Sequence, residues 1–188
     1  MALAPHLRPV DMATPIPHSL SAFSYAGALV SGLLGGLAFS GLLWLARLMG
    51  MTGFSVSMFI GSLFTGETTT AALWLGLGFH LVLSMLTGLV YALLFHAWGW
   101  STWARGIAIA IPHAILAGLA MTAVSYIHPV TSDKLLANPG FLAGNYDWLS
   151  AVILFALFLV YGAIVGSLYA RYIPHLDPAH PEASTPLP

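Results

Sequence analysis

The apolar residues of this chain fall into four long runs that are separated by shorter, more polar segments. The runs cover about residues 23–49, 73–98, 104–127 and 149–172. A transmembrane helix needs about 20 apolar residues, because each residue advances it by about 1.5 Å. Each run is long enough. The pattern therefore predicts an all-α fold, an integral membrane four-helix bundle that occupies residues 21–172.

The segment between the first two runs, MTGFSVSMFIGSLFTGETTTAA, is apolar but broken by glycines and by the polar string GETTT. Its apolar part is too short to span a bilayer, so it predicts a short interfacial or re-entrant helix after the first span. Residues 1–20 contain four prolines and predict an irregular N-terminal arm. The proline-rich residues 173–188 predict a disordered C-terminal tail.

Composition supports a lipid environment. Hydrophobic residues make up 59 % of the 188 residues and charged residues 6 %, whereas an average soluble domain is about 25 % charged. The net charge of −1 gives no basic patch for nucleic acid. The absence of cysteine excludes disulfides and thiolate metal sites. The sequence also lacks the GxSxG, Walker A and Rossmann motifs, which predicts a protein that is not an enzyme.

The distribution of basic residues predicts the orientation in the membrane. Four spans place both termini on one side, together with Arg8, Arg105 and Arg171, whereas Arg47 and Lys134 lie on the other side. The side with more basic residues is usually cytoplasmic. The short link between the second and third spans further predicts that these two spans pack as an antiparallel hairpin.

Small residues recur at helical spacing within the spans, and such stripes let transmembrane helices approach closely. The residues that we select as packing positions are Gly27, Ser31, Gly35, Gly118, Gly162 and Gly166. The stripes are compatible with oligomerisation through GxxxG and with packing inside one bundle. We favour packing inside the bundle.

An ionisable side chain within a span is costly and is expected to face the bundle interior or water. His80, Ser84 and Tyr91 recur at spacings that place them on one face of the second span. This polar stripe has two interpretations. His80 fixes helix register through a hydrogen bond to a neighbouring helix, or the stripe forms a pathway for protons or a small solute.

The third span carries His113 directly after Pro112. In the predicted hairpin, His113 stands level with Gly88, so that it and His80 differ in depth by about eight residues, or roughly 12 Å. That offset does not suit one shared metal ion or a haem held by two histidines. His80 or His113 alone is a candidate ligand for haem, chlorophyll or a metal, since one neutral imidazole is sufficient for an axial position.

A second candidate metal site combines Glu67, His80, His128 and Asp133, all toward the side of the membrane opposite the termini. Mixed imidazole and carboxylate ligands suit zinc, copper or iron. The sequence lacks the close HxxxH or ExxH spacing of a strong metal motif, and no cofactor is favoured.

The strings SMFIGSLFTG, LGFHLVLSMLTGLVYALLF, RGIAIAIPHAILAGLAM and NPGFLAGNYDW resemble a family of small four-span bacterial inner-membrane proteins of the YagU type. The resemblance covers roughly residues 24–170 and implies a bacterial inner-membrane location. It implies special roles for five residues: His80, Tyr91, Gly106, His113 and Gly118. It implies no settled activity. Ser57 stands where such proteins often have an aspartate, and this weakens a carboxylate-based metal site.

These observations predict a small non-enzymatic membrane protein, an accessory or interaction subunit that contacts lipid and associates with other membrane proteins or with itself. The first alternative is a cofactor-binding protein that uses His80 or His113. The second is the pathway for protons or a small solute.

Overall fold

A computed structural model describes residues 23–132 and 135–173. The described helices are α1 (Tyr25–Leu48), α2 (Val56–Thr65), α3 (Thr70–Trp98), α4 (Trp103–Ser125), the single turn α5 (Pro129–Ser132) and α6 (Trp148–Tyr172), with a 3₁₀ turn at Phe141–Ala143. Four of them, α1, α3, α4 and α6, are long and apolar enough to cross a membrane. This confirms the predicted all-α membrane bundle and the shorter apolar helix after the first span. The predicted arm, 1–20, and residues 174–188 of the predicted tail lie outside the described residues.

Local sequence determines where the helices begin and end. Each of the five longer helices follows a residue whose side-chain oxygen accepts a hydrogen bond from the backbone N–H three positions later, namely Ser24, Ser55, Thr69, Thr102 and Asp147. Such caps pair N–H groups that the first turn leaves without a partner. Helices α2 and α3 end at Gly66 and Gly99 with φ of 69° and 84°, a left-handed conformation that glycine adopts without strain.

The spans form two hairpins that meet along one seam. Helix α1 packs along α3, α4 packs along α6, and α1 packs along α6 to join the two pairs. Helices α3 and α4, although joined by a short loop, scarcely touch. The sequence-based expectation that they pack as a hairpin is therefore wrong. Chain adjacency does not select the packing partner here, since the backbones approach where glycines allow it.

The glycines of α1 allow close contact with two neighbouring helices, α6 and α3. A Cβ atom at Gly27 or Gly35 would collide with tyrosine rings of α6, those of Tyr172 and Tyr161. A Cβ at Gly32 would collide with the backbone of α3 at Ser84. Buried Ser31 lies on the α6-facing stripe and donates to the carbonyl of Gly27 at 2.6 Å. The stripe that contains Gly27, Ser31 and Gly35 is thus used within the chain.

The α4–α6 contact is closer still. A Cβ at Gly162 would collide with the Gly106 backbone, and one at Gly166 with the Thr102 carbonyl. A Cβ at Gly118 would collide with the Phe141 ring in the 3₁₀ turn. All six residues selected as packing positions therefore lie at contacts inside this chain, which is the arrangement that the sequence favoured over GxxxG oligomerisation.

Candidate functional site

Because α3 and α4 do not pack together, a cavity of about 590 Å³ lies between them. Its walls are α3 from Phe79 to Thr87 and α4 from His113 to Val124. Side chains of α1 and α6 form its floor, and α2 closes it with apolar side chains at one end. The cavity is partly open to the outside of the bundle. Its volume lies within the range of small-molecule sites, about 300–1,000 Å³.

His80 lies on the α3 wall. Its Nδ1 is 2.9 Å from Oγ of Ser40, which belongs to α1. Its ring contacts Phe39 of the floor, with centroids 5.3 Å apart. The His80 ring is therefore held on one side by a hydroxyl and on another by an aromatic ring, and it lines the cavity. Its Nε2 has no hydrogen-bond partner among the residues that the structure describes.

His113 lies on the opposite wall and is held in the same manner. Its Nδ1 is 3.1 Å from the hydroxyl of Tyr91, so this bond links α4 to α3 across the end of the cavity. Its ring packs edge-on against Phe158 of the floor, with centroids 4.9 Å apart. Within the described part of the chain, nothing is hydrogen-bonded to its Nε2.

The floor joins the two histidines. Phe39 and Phe158 pack edge to face at a centroid distance of 5.2 Å, so a row of aromatic contacts runs from His80 to His113. The bond between His113 and Tyr91 agrees with the predicted register, which placed His113 one turn away, level with Gly88. His80 and His113 thus differ in depth as the sequence predicted, but the cavity is long enough that both line it.

The predicted polar stripe shares one face of α3, yet the side chains of His80 and Tyr91 bond to other helices. His80 pairs with α1 and Tyr91 with α4. The hydroxyl of Ser84 donates to the carbonyl of His80 at 2.8 Å, and the Ser84 carbonyl accepts from Tyr161 of α6 at 2.7 Å. Within the described residues the bonds of His80, Tyr91 and Tyr161 are separate cross-links between helices, and only the Ser84 hydroxyl bonds within α3.

The structure does not bring together the described members of the predicted metal site, Glu67, His80 and His128. Glu67 is exposed in the loop after α2, and His80 and His128 bind different helices. In the described ranges, no three His, Cys, Asp or Glu side chains form a group that could hold a metal ion. Asp133 lies outside those ranges. The sequence grouped these residues by expected membrane depth, but depth alone does not bring side chains on different elements together.

His128 instead anchors α2. Its Nε2–H donates to the Phe59 carbonyl at 2.8 Å, and its ring stacks on the Phe59 ring at 4.7 Å. Phe59 lines the end of the cavity. Close contact between Gly61 of α2 and Ala72 of α3 holds the other side of this short helix. His128 is therefore a structural residue of the cavity's closed end.

Two histidines outside the cavity wall, His128 and His96, predict different effects of the same substitution to Phe. Replacing His128 with Phe keeps a ring against Phe59 but removes the donor, which lowers the free energy of unfolding by about 1 kcal/mol. His96, at the end of α3, has both ring nitrogens enclosed and without a hydrogen-bond partner among the described residues. His96→Phe removes these two unpaired nitrogens and their desolvation cost, so the free energy of unfolding stays unchanged or rises.

Thermal unfolding in mild detergent, followed by circular dichroism, compares the two variants. Equal losses in both variants would contradict the structural role assigned to His128.

Sequence reasoning missed the residues that orient the two histidines and form the floor, namely Ser40, Phe39, Phe158 and Tyr161. Ser40 carried a usable signal, because a hydroxyl in the middle of an apolar run needs a partner. The Tyr161 hydroxyl carried the same signal, whereas Phe39 and Phe158 carried none, since Phe is common on any membrane helix.

Comparisons of this chain with protein-family models, curated proteins and solved structures found no match. The resemblance to the YagU type therefore stays a prediction, and the residues and geometry of the cavity carry the functional argument.

Proposed function

We propose that this protein is a non-enzymatic integral membrane protein that binds a lipid-soluble small molecule in the cavity between α3 and α4. One observation carries the proposal. Two imidazoles, His80 and His113, line an otherwise mostly apolar cavity, each with Nδ1 bonded to a hydroxyl and with Nε2 unbonded within the described chain.

The two unbonded Nε2 atoms carry an energetic cost. A polar atom that faces hydrocarbon without a partner costs free energy, so polar residues in spans generally pair or mark a functional site. Both rings are fixed by specific contacts, so neither is placed by chance. A ligand that bonds to Nε2 offsets this cost, and its apolar body fits the remaining wall.

This proposal replaces the accessory subunit as the leading candidate. The small-residue stripes that suggested association with other proteins are used for contacts within the chain, as at Gly35 and Gly166. The outer surface carries large apolar side chains such as those of Trp74, Leu93 and Leu116, which is the surface that lipid itself requires. The cavity is the feature that a bundle with no ligand would not need.

We further propose that the membrane is the bacterial inner membrane and that the termini are cytoplasmic. Arg105 lies near the start of α4 and Arg171 near the end of α6, and these are the helix ends on the same side of the bundle as both termini. Arg47 lies near the end of α1, on the opposite side. The positive-inside tendency supports this orientation.

Native mass spectrometry of protein purified from its membrane in mild detergent tests the proposal, together with visible absorption and metal analysis. We expect about one bound small molecule per chain in the parent protein, and its loss in the His80→Phe, His113→Phe double variant. His96→Phe is the matched control, since it makes the same replacement outside the cavity, and it should keep the ligand. Equal bound mass in the parent and the double variant would overturn the proposal. A ligand-free parent that co-purifies with a larger complex would favour the accessory role instead.

A further inference from the structure

The hydrogen bonds around the cavity indicate the chemical class of the ligand, an inference that rests on the proposed function. We infer that the ligand is a lipid-soluble molecule whose uncharged, carbonyl-type oxygen accepts a hydrogen bond from Nε2–H of His80, of His113 or of both. The hydroxyl that contacts Nδ1 of each ring determines which ring nitrogen carries the proton.

Tyr91 determines the proton position on His113. The Tyr91 side chain is 1 % exposed, and its hydroxyl bonds to His113 Nδ1 among the described groups. A buried phenol that has one partner donates to it, because its proton would otherwise have no acceptor in a low-dielectric interior. Nδ1 is then the acceptor. In a neutral imidazole the other nitrogen carries the proton, so His113 presents Nε2–H to the cavity.

Ser40 determines the proton position on His80 by a comparison within the chain. Several helical serines donate to the carbonyl four residues earlier, namely Ser31, Ser62, Ser84 and Ser125. Ser40 makes no such bond in the described structure, and its hydroxyl contacts His80 Nδ1. Its proton therefore goes to Nδ1, and His80 also presents Nε2–H.

The other hydroxyls of the wall have already used their protons. Ser84 donates to the carbonyl of His80, Thr87 to that of Leu83, and Tyr161 to that of Ser84. Among the described residues that line the cavity there is no Asp, Glu, Lys or Arg. The donors that remain are therefore the two Nε2–H groups, and they call for an uncharged acceptor.

The same proton positions disfavour a metal or a metal macrocycle at His80 or His113. A metal binds the lone pair of a neutral imidazole, and the opposite N–H usually donates to a carboxylate, carbonyl or water. Here each Nδ1 faces a hydroxyl that donates, so Nε2 carries a hydrogen and not an available lone pair. Haem, chlorophyll or zinc bound at one of these histidines would require the hydroxyl at that ring's Nδ1 to accept a hydrogen bond instead of donating one.

Two sources in a membrane supply a carbonyl on an apolar body, namely the ester groups of phospholipids and the ring carbonyls of a quinone. Nanodiscs made from ether-linked phospholipids lack ester carbonyls, so they separate the sources. In these nanodiscs we would titrate a benzoquinone with a decyl tail, its reduced quinol, and a diester phospholipid, each as a separate probe.

We expect saturable binding of the quinone, the diester lipid or both. His80→Phe and His113→Phe should each weaken it about tenfold where that ring donates to the carbonyl. The quinol should bind more weakly than the quinone, because it brings hydroxyl donors to a donor-lined wall. Nitrogen-15 NMR of labelled histidine should show both rings protonated at Nε2.

The failures are distinguishable. Stronger binding of the quinol, stoichiometric zinc lost in His80→Phe, or protonation at Nδ1 would overturn the carbonyl inference and leave ligand binding intact. Failure of the parent protein to bind any probe, with no ligand from its native membrane, would overturn the proposed function as well.

Discussion

Replacing Gly106 with Ala is expected to lower the free energy of unfolding by about 1–3 kcal/mol, the usual cost of forcing extra atoms into a packed interior. The added Cβ would collide with the carbonyl of Gly162 in α6, and backbone on both sides leaves no flexible side chain to move aside. The α4–α6 pair would have to separate. Because α6 also carries Tyr161 and Phe158, this separation would disturb the floor of the cavity.

Gly78 is the matched control for that substitution. It also lies within a spanning helix, α3, but a Cβ there would meet nothing within 4 Å. Gly78→Ala should leave stability unchanged or raise it by about 0.5–1 kcal/mol, because alanine loses less backbone freedom in a helix than glycine. Thermal unfolding of both variants, followed by circular dichroism, provides the comparison. Equal stability of Gly106→Ala and the parent would contradict the close α4–α6 contact.

The four spans and the short helix between the first two were predictable, because membrane helices must satisfy their own backbone hydrogen bonds and cover lipid with apolar residues. Both requirements constrain the residue type at nearly every position of a span, so the sequence of a span is recognisable. The pairing of the spans was not predictable from loop length. The link at residues 99–102 is short, yet α3 packs on α1, because Gly32 and Gly88 allow that approach and nothing comparable joins α3 to α4.

The site was predictable in part for the same reason. His80 and His113 stood out because imidazoles are expensive in lipid, and the register derived from the loop gave the correct neighbourhood for His113. The shared cavity did not stand out, since it exists only because α3 and α4 are separated. His128 was assigned to a metal site from its depth alone, whereas its actual partner is the carbonyl of Phe59, a backbone group that a side-chain pattern does not reveal.

Filling the cavity is the substitution with the largest expected effect on binding. Ala117 lines the cavity on α4, one turn from His113, and it is partly exposed there. Ala117→Trp should place an indole in the space that the ligand would occupy. Binding of the decyl-tailed benzoquinone or of the diester lipid should fall at least tenfold, more than either single histidine variant, because the apolar body and the carbonyl are both displaced.

Leu119→Trp supplies the control. Leu119 is also on α4 but is 56 % exposed on the outer surface and does not line the cavity. The Leu119→Trp variant adds an indole to the same helix but on its lipid-facing surface, so its binding should match that of the parent. The circular dichroism of both variants should remain helical, which separates blocked binding from unfolding. Retained binding in a folded Ala117→Trp variant would mean that the ligand lies elsewhere. The loss of binding in Ala117→Trp alone would place the ligand between α3 and α4, where His80 and His113 can both reach it.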